Sequence, residues 1–322
     1  MSSNEILVLA AGGTILKQQQ GQKMEWSVNP EELIKLADKD VGFELETVHQ
    51  GLAANFTMEK VVAIAQLIRR KKQQNILITL GTDILEEVAF SLAYLLGSAK
   101  TVVITASMRP YGREGYEGIS NLRDAFSFLK ASNSHKGGVF VVINEQIFLG
   151  KNVFKYHSSR IDAFRAYPEA VGEFLSGQPF TSHVCEKSIP IEDLETIDKL
   201  IVSEVNVPIL WTHMNMDPGI FDTSKCDGLV IAAMGAGSAP EHVTEFYADN
   251  LTKDIPIVIS TRCPVGPNHA ESMYTGAVEK YTNRGFLVRE FTGLNALQVR
   301  SKMHIDIALH KQGIKKIAWL SI

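Results

Sequence analysis

Ile76-Leu77-Ile78-Thr79-Leu80-Gly81-Thr82-Asp83-Ile84-Leu85-Glu86-Glu87 is the stretch whose reading decides the fold. Its first four residues are apolar or β-branched with no polar alternation, which predicts a strand buried on both faces. Gly81 breaks the run, Thr82 and Asp83 are residue types that cap helices, and Glu86 and Glu87 suit a first helical turn. The same pattern recurs to either side. Residues 6–9, 101–105, 139–143, 229–232 and 255–260 read as further buried strands, and 30–37, 58–70, 86–97, 121–131, 241–250 and 293–310 as amphipathic helices. Such alternation predicts an α/β fold with a mostly parallel sheet covered by helices on both faces. Ligands bind such sheets beyond the carboxyl ends of the strands, so the residues just past each strand carry the functional question.

The chain has 322 residues, enough for two domains. Residues 178–208 are richer in charge and proline with weak periodicity. This predicts a larger N-terminal α/β domain over about 1–180, a connection over 181–207 and a smaller C-terminal α/β domain over 208–322. A net charge of −4 gives no general attraction for nucleic acid or an anionic membrane. The basic run Arg69-Arg70-Lys71-Lys72 closes a helical pattern, where the dipole favours cations. Three distant cysteines, Cys185, Cys226 and Cys263, suggest neither a disulfide framework nor a zinc site. The N-terminus has no basic region or cleavage site of a signal peptide, and no apolar run approaches membrane-spanning length. The expected setting is cytoplasmic.

Three strand ends attract attention. The first strand runs into Ala10-Ala11-Gly12-Gly13-Thr14-Ile15, where paired glycines permit a sharp turn and a close backbone approach to a ligand. Alone this is an ordinary turn, and the dinucleotide-binding pattern is absent. The second is Gly81-Thr82-Asp83, for which helix capping and function weigh about equally. What favours function is that two strands of one sheet each present a threonine to the same crevice. Beyond the fourth strand lies Gly150-Lys151-Asn152-Val153-Phe154-Lys155, read as a polar loop in which a lysine is by default solvated.

Taken together these segments resemble the L-asparaginase family of bacterial asparaginases and glutaminases. The family's T-G-G-T-I corresponds to Ala11-Gly12-Gly13-Thr14-Ile15, and H-G-T-D-T followed by E-E to Leu80-Gly81-Thr82-Asp83-Ile84 with Glu86-Glu87. Met108-Arg109-Pro110, Asn121-Leu122 with Ala125, Gly150 to Lys155, Gly235-Ala236-Gly237, Ser260 to Gly266 and Leu294-Asn295-Ala296 follow in family order. The resemblance implies an amide hydrolase with Thr14 as nucleophile and Thr82, Asp83 and Lys155 managing protons. Backbone N–H groups at Gly13 and Gly81 would hold the oxyanion, and Ser107 would offer its carbonyl to the substrate amide. No cofactor or metal is implied. The expected partner is a small-molecule amide, and the expected assembly is a homodimer or homotetramer with sites at the subunit interface, Glu271 being the acidic residue donated across it.

A threonine hydroxyl is a poor nucleophile until a proton acceptor lies within hydrogen-bond reach. Asp83 beside Lys155 favours the ammonium, so the lysine must be desolvated or Thr82 must relay a proton; the sequence leaves both routes open, and also which threonine attacks first. The substrate-gripping segment departs from the family. Ala53 and Ala54 stand where a serine and another polar residue are usual. The lid tyrosine is missing, and Trp26, the only aromatic between Lys17 and Pro30, reads equally as a lid residue or as packing at the loop root. These changes predict a larger or less polar amide than free asparagine. The rival readings are a binding or sensing module that has lost turnover and an amidotransferase subunit. Four unaltered reactive positions weigh against the first, and the absence of a basic RNA-binding signal against the second.

Overall fold

The computed structural model describes residues 5–20, 23–131, 137–181, 194–250, 255–269 and 274–320. They divide into two compact units, Met1–Asp198 and Lys199–Ile322. Much of the expected connection, residues 182–193, lies outside the described residues.

The first unit holds strands β1 (Ile6–Ala10), β2 (Gln18–Gln20), β3 (Lys23–Glu25), β4 (Phe43–Thr47), β5 (Asn75–Thr79), β6 (Thr101–Thr105), β7 (Gly138–Ile143), β8 (Gln146–Leu149), β9 (Val153–Lys155), β10 (Phe164–Ala166), β11 (Gly172–Leu175) and β12 (Gln178–Thr181). Its helices are α1 (Pro30–Ala37), α2 (Met58–Arg70), α3 (Leu85–Leu96) and α4 (Gly118–Lys130), and α5 (Leu194–Lys199) ends at the division. Eight strands form one sheet in the order β12-β11-β8-β7-β6-β5-β1-β4. From β7 to β4 every pairing is parallel, whereas β8, β11 and β12 add an antiparallel flank. Two short antiparallel ribbons, β2-β3 and β9-β10, stand outside it.

The central strands lie in the middle because they are apolar throughout: every residue of β1 is buried, as are Ile76, Leu77 and Ile78 of β5. On one face Ile6, Val8, Leu77, Val103 and Phe140 meet Leu33 and Ile34 of α1 and Leu122, Phe126 and Phe128 of α4. Helix α1 starts where it does because the Asn29 side chain accepts the Glu31 N–H and Pro30 fills the first position, where its missing donor costs nothing. Lys155, read as part of a polar loop, instead ends strand β9, and residues 18–20 form β2. Both ribbons are too short for sequence periodicity to register.

One charge sits awkwardly in this core. Asp124 on α4 is buried with Oδ2 unpartnered, and burial, aided by Glu145, pushes its carboxyl from 3.8 up to about 6 despite Arg123. The folded state then holds this proton more tightly than the unfolded chain, so stability falls as pH rises from about 4 to about 6. Asp124→Asn is expected to gain about 2–3 kcal/mol of stability at pH 7 and almost nothing at pH 4. Urea denaturation of both proteins at the two pH values checks this, and an equal effect at both would refute it.

The second unit carries β13 (Ile209–Trp211), β14 (Leu229–Ala233) and β15 (Ile257–Thr261) in a parallel three-stranded sheet, with α6 (Glu241–Asn250), α7 (Glu279–Thr282) and α8 (Ala296–Lys311). Its core joins Leu229, Ile231, Ile257 and Ile259 to Val243, Tyr247 and Tyr281. A reciprocal cap between Asn295 and Gln298 opens α8. Among the described residues no helix is long and apolar enough to cross a membrane.

Candidate active site

The site is built where β1 and β5, paired in parallel, reach their carboxyl ends together. Ala11 N–H still donates to Thr79 O at 2.9 Å, the last rung before both chains turn. Gly12 and Gly13 then take φ values of 76° and 90°, a region L-residues avoid. Space demands glycine as well. A Cβ on Gly13 would lie 2.5 Å from both Gly81 N and Leu80 O, and one on Gly81 would lie 2.3 Å from the Ala53 Cβ. The turns carrying Thr14 and Thr82 are therefore pressed backbone to backbone, with the Ala53 methyl against Gly81. Among the described residues, no hydrogen bond occupies the amides of Gly13, Thr14, Gly81 or Thr82. They remain available to an oxyanion.

The capping reading of Thr82 and Asp83 fails. The residue preceding α3 is Ile84, and no side chain caps that helix end. Both side chains instead meet Lys155. Its Nζ donates to Thr82 Oγ1 at 3.0 Å and to Asp83 Oδ1 at 3.1 Å. Thr82 is buried and the Lys155 side chain is 14% exposed, whereas the Asp83 side chain is 68% exposed. Water screens the ion pair from its carboxylate side, so it adds little to the stability of the fold. Its value is the placement of an amine against a hydroxyl.

The segment after Thr14 is held from the opposite side. Lys17 N–H closes a short turn onto Thr14 O, and Tyr111 N–H donates to Lys17 O at 2.8 Å. The Tyr116 hydroxyl donates to Ile15 O at 3.0 Å, and burial first, then Glu117 and Tyr111, raise its pKa, so it stays a donor. The Glu117 carboxylate in turn accepts the N–H groups of Met108 and Arg109. Tyr111 and Tyr116 thus anchor the chain behind Thr14.

The remaining expected residues fall in different places. Ser107 follows β6 with its side chain fully buried and its Oγ donating to Arg109 O at 2.7 Å. Ala53 touches the turn of Gly81, while Leu52 and Ala54 beside it are exposed. Trp26 packs on the core of the first unit with Lys17 Nζ 4.4 Å above its ring, the geometry of an aromatic at a loop root. Glu271 lies outside the described residues. One participant escaped sequence reasoning: Glu86, whose Oε2 accepts the backbone N–H of Lys155 at 3.2 Å. In the sequence it stood only as an acid in a first helical turn and as part of the family's E-E, and neither signal assigned it a role.

Two paired strand ends with glycine turns, threonines beyond them and an amine on one hydroxyl suit acyl transfer. The profile of the asparaginase N-terminal domain matches residues 5–182, and that of the glutaminase/asparaginase C-terminal domain matches residues 206–305. The chain belongs to the asparaginase family. A probable L-asparaginase from Deinococcus radiodurans is 27% identical over 246 residues, covering 75% of this chain and 74% of that protein. The L-asparaginase of Bacillus licheniformis is 22% identical over 324 residues, covering 97% and 98%. The crystal structure of a probable cytoplasmic L-asparaginase from Campylobacter jejuni matches with a TM-score of 0.79 at 25% identity over 94% of each chain. As an asparaginase-family member the protein is an amidohydrolase acting on a carbon–nitrogen bond. The motifs quoted from the sequence lie within the matched segments.

Proposed function

We propose that this asparaginase-family protein hydrolyses an asparagine-like amide bearing a less polar substituent than free asparagine, with Thr14 as nucleophile. The observation that carries the reading is the Lys155 amine held at 3.0 Å from Thr82 Oγ1, beside strand ends pressed together at Gly13 and Gly81. In this scheme Thr14 Oγ attacks the amide carbon and its proton passes to the Thr82–Lys155 pair. The carbonyl electrons move to oxygen, which the amides of the glycine turns stabilise. Collapse breaks the C–N bond, and the nitrogen leaves with that proton as ammonia or an amine. Water then attacks the acyl-threonine ester by the same route and releases a carboxylate. Asp83 holds the Lys155 side chain in place from the solvent side.

The substrate class rests on the 51–57 segment. Ala53 and Ala54 offer no hydroxyl or amide to a charged α-carboxylate or α-amine, each such missing bond costing about 1.5–3 kcal/mol. The neighbouring Leu52 is 54% exposed, an apolar surface beside the turn that holds the threonines. Steady-state assays with L-asparagine, L-glutamine and a panel of N-substituted amides test the reading. The specificity constant is expected to be highest for an apolar substituted amide; the highest value on free asparagine would defeat the substrate proposal. The same reading includes a cytoplasmic homo-oligomer, dimer or tetramer, whose mass light scattering measures.

A further inference from the structure

Lys155 sits on a strand with few holds. The ribbon β9-β10 lies outside the main sheet, and among the described residues β9 pairs on one side only, Lys155 standing opposite Phe164. On that side the next rung is Tyr156 N–H to Ala163 O at 2.9 Å. The Lys155 N–H points the other way, toward α3, which packs against β9. There it meets Glu86 Oε2 at 3.2 Å, and without that acceptor a part-buried donor would lose its partner. The α3 segment and β9 are thus joined twice at one residue: backbone to Glu86, side chain to Thr82 four residues earlier.

We propose that Glu86 is a positioning residue, its carboxyl fixing the docking of β9 so that the Lys155 amine meets the Thr82 hydroxyl. The inference rests on the amidohydrolase reading of the Thr82–Lys155 pair. Geometry alone explains why an acid is suited here: a carboxyl oxygen accepts the N–H whether or not the group is ionised. Burial, then the Glu87 charge, push the carboxyl up, while the Lys155 N–H bond and the Lys155 charge pull it down, leaving it at about 7. Of the other elements against α3, β7 brings no titratable side chain. The buried residues of α2 are all apolar, and its charged Lys60, Arg69 and Arg70 bond to His49 and Asp198, with Glu59 at its first turn. Ionisation of Glu86 adds a negative charge on the backbone side of Lys155, so the field at the reacting pair changes with the state of this carboxyl.

The test compares Glu86→Ala, Glu86→Asp and Glu86→Gln in the full chain. Loss or shortening of the acceptor is expected to lower kcat about 10–100-fold with KM within threefold, because the base is displaced and the substrate-gripping segment is untouched. Glu86→Gln keeps an acceptor oxygen and should hold kcat within about threefold at pH 6, and it should lack the rate inflection near pH 7 that is expected of the parent enzyme. Hydrogen exchange at the Lys155 amide should quicken in the alanine and aspartate variants and not in the glutamine variant. Should the alanine variant fail to fold, the aspartate variant decides. Parental kcat and unchanged exchange in Glu86→Asp, or a glutamine variant as impaired as it, would overturn the proposal. A Lys155→Met enzyme with parental turnover would instead defeat the catalytic reading, while the exchange data would still report on the docking itself.

Discussion

Thr82→Val is expected to cut turnover by about 10²–10⁴-fold while moving the thermal melt hardly at all. Valine keeps the shape of the buried side chain and deletes the oxygen that Lys155 Nζ approaches at 3.0 Å. The amine still has Asp83 at 3.1 Å, so no charge is stranded, and the stability cost should stay at about 1 kcal/mol or less. In the proposed mechanism, what disappears is the link that would pass a proton between Thr14 and the lysine. Thr82→Ser, which restores the oxygen, should recover most of the rate. Stopped-time product assays with calorimetry on the same samples separate the two quantities. Parental turnover in the valine variant would remove this hydroxyl from the chemistry.

Gly13→Ala should fail differently, losing stability and activity together. The new methyl would meet Gly81 N and Leu80 O at 2.5 Å on a backbone with φ of 90°. Positive φ costs a side chain about 1–2 kcal/mol and overpacking about 1–3 more, so a loss of about 2–5 kcal/mol is expected. Relief of the clash moves the two turns apart, and a displacement near 1 Å costs about 10²-fold in rate. Gly42→Ala is the control, since a Cβ there meets nothing within 4 Å. Chemical denaturation and turnover of the two variants decide: if both behave alike, close approach at Gly13 is not what holds the turns together.

The parts of this fold that sequence reading recovers are those whose burial is complete. Strands β1, β5, β6, β7, β14 and β15 are mostly apolar or β-branched runs, and α1 and α2 carry one-sided stripes, so pattern and structure coincide. What escapes is half-wet or short. Strand β4, Phe43-Glu44-Leu45-Glu46-Thr47, lies at the sheet edge with alternating charges. The antiparallel flank of β8, β11 and β12 has only four residues per strand, and its charged or proline-bearing pieces hide any period.

The candidate site divides along the same line. Strand ends and glycine turns single out Thr14 and Thr82, since those features are local. The partnership of Thr82 with Lys155 spans 73 residues and leaves no local trace. Lys155 came into view only through resemblance to a family. Glu86 illustrates the reverse case. Its position in a first helical turn offered an adequate local explanation, and that explanation concealed a long-range bond to Lys155.

In the proposed mechanism, threonines just beyond the ends of the eight-stranded sheet and a lysine on a separate ribbon would make the rate a product of two factors. One is the intrinsic speed of assembled molecules; the other is the fraction of molecules whose ribbon is seated at any instant. A solvent or sequence change that unseats β9-β10 leaves the bulk of the chain folded and its spectroscopic signature almost unaltered. The output of the population then dims in proportion, like a lamp whose switch sits outside the bulb.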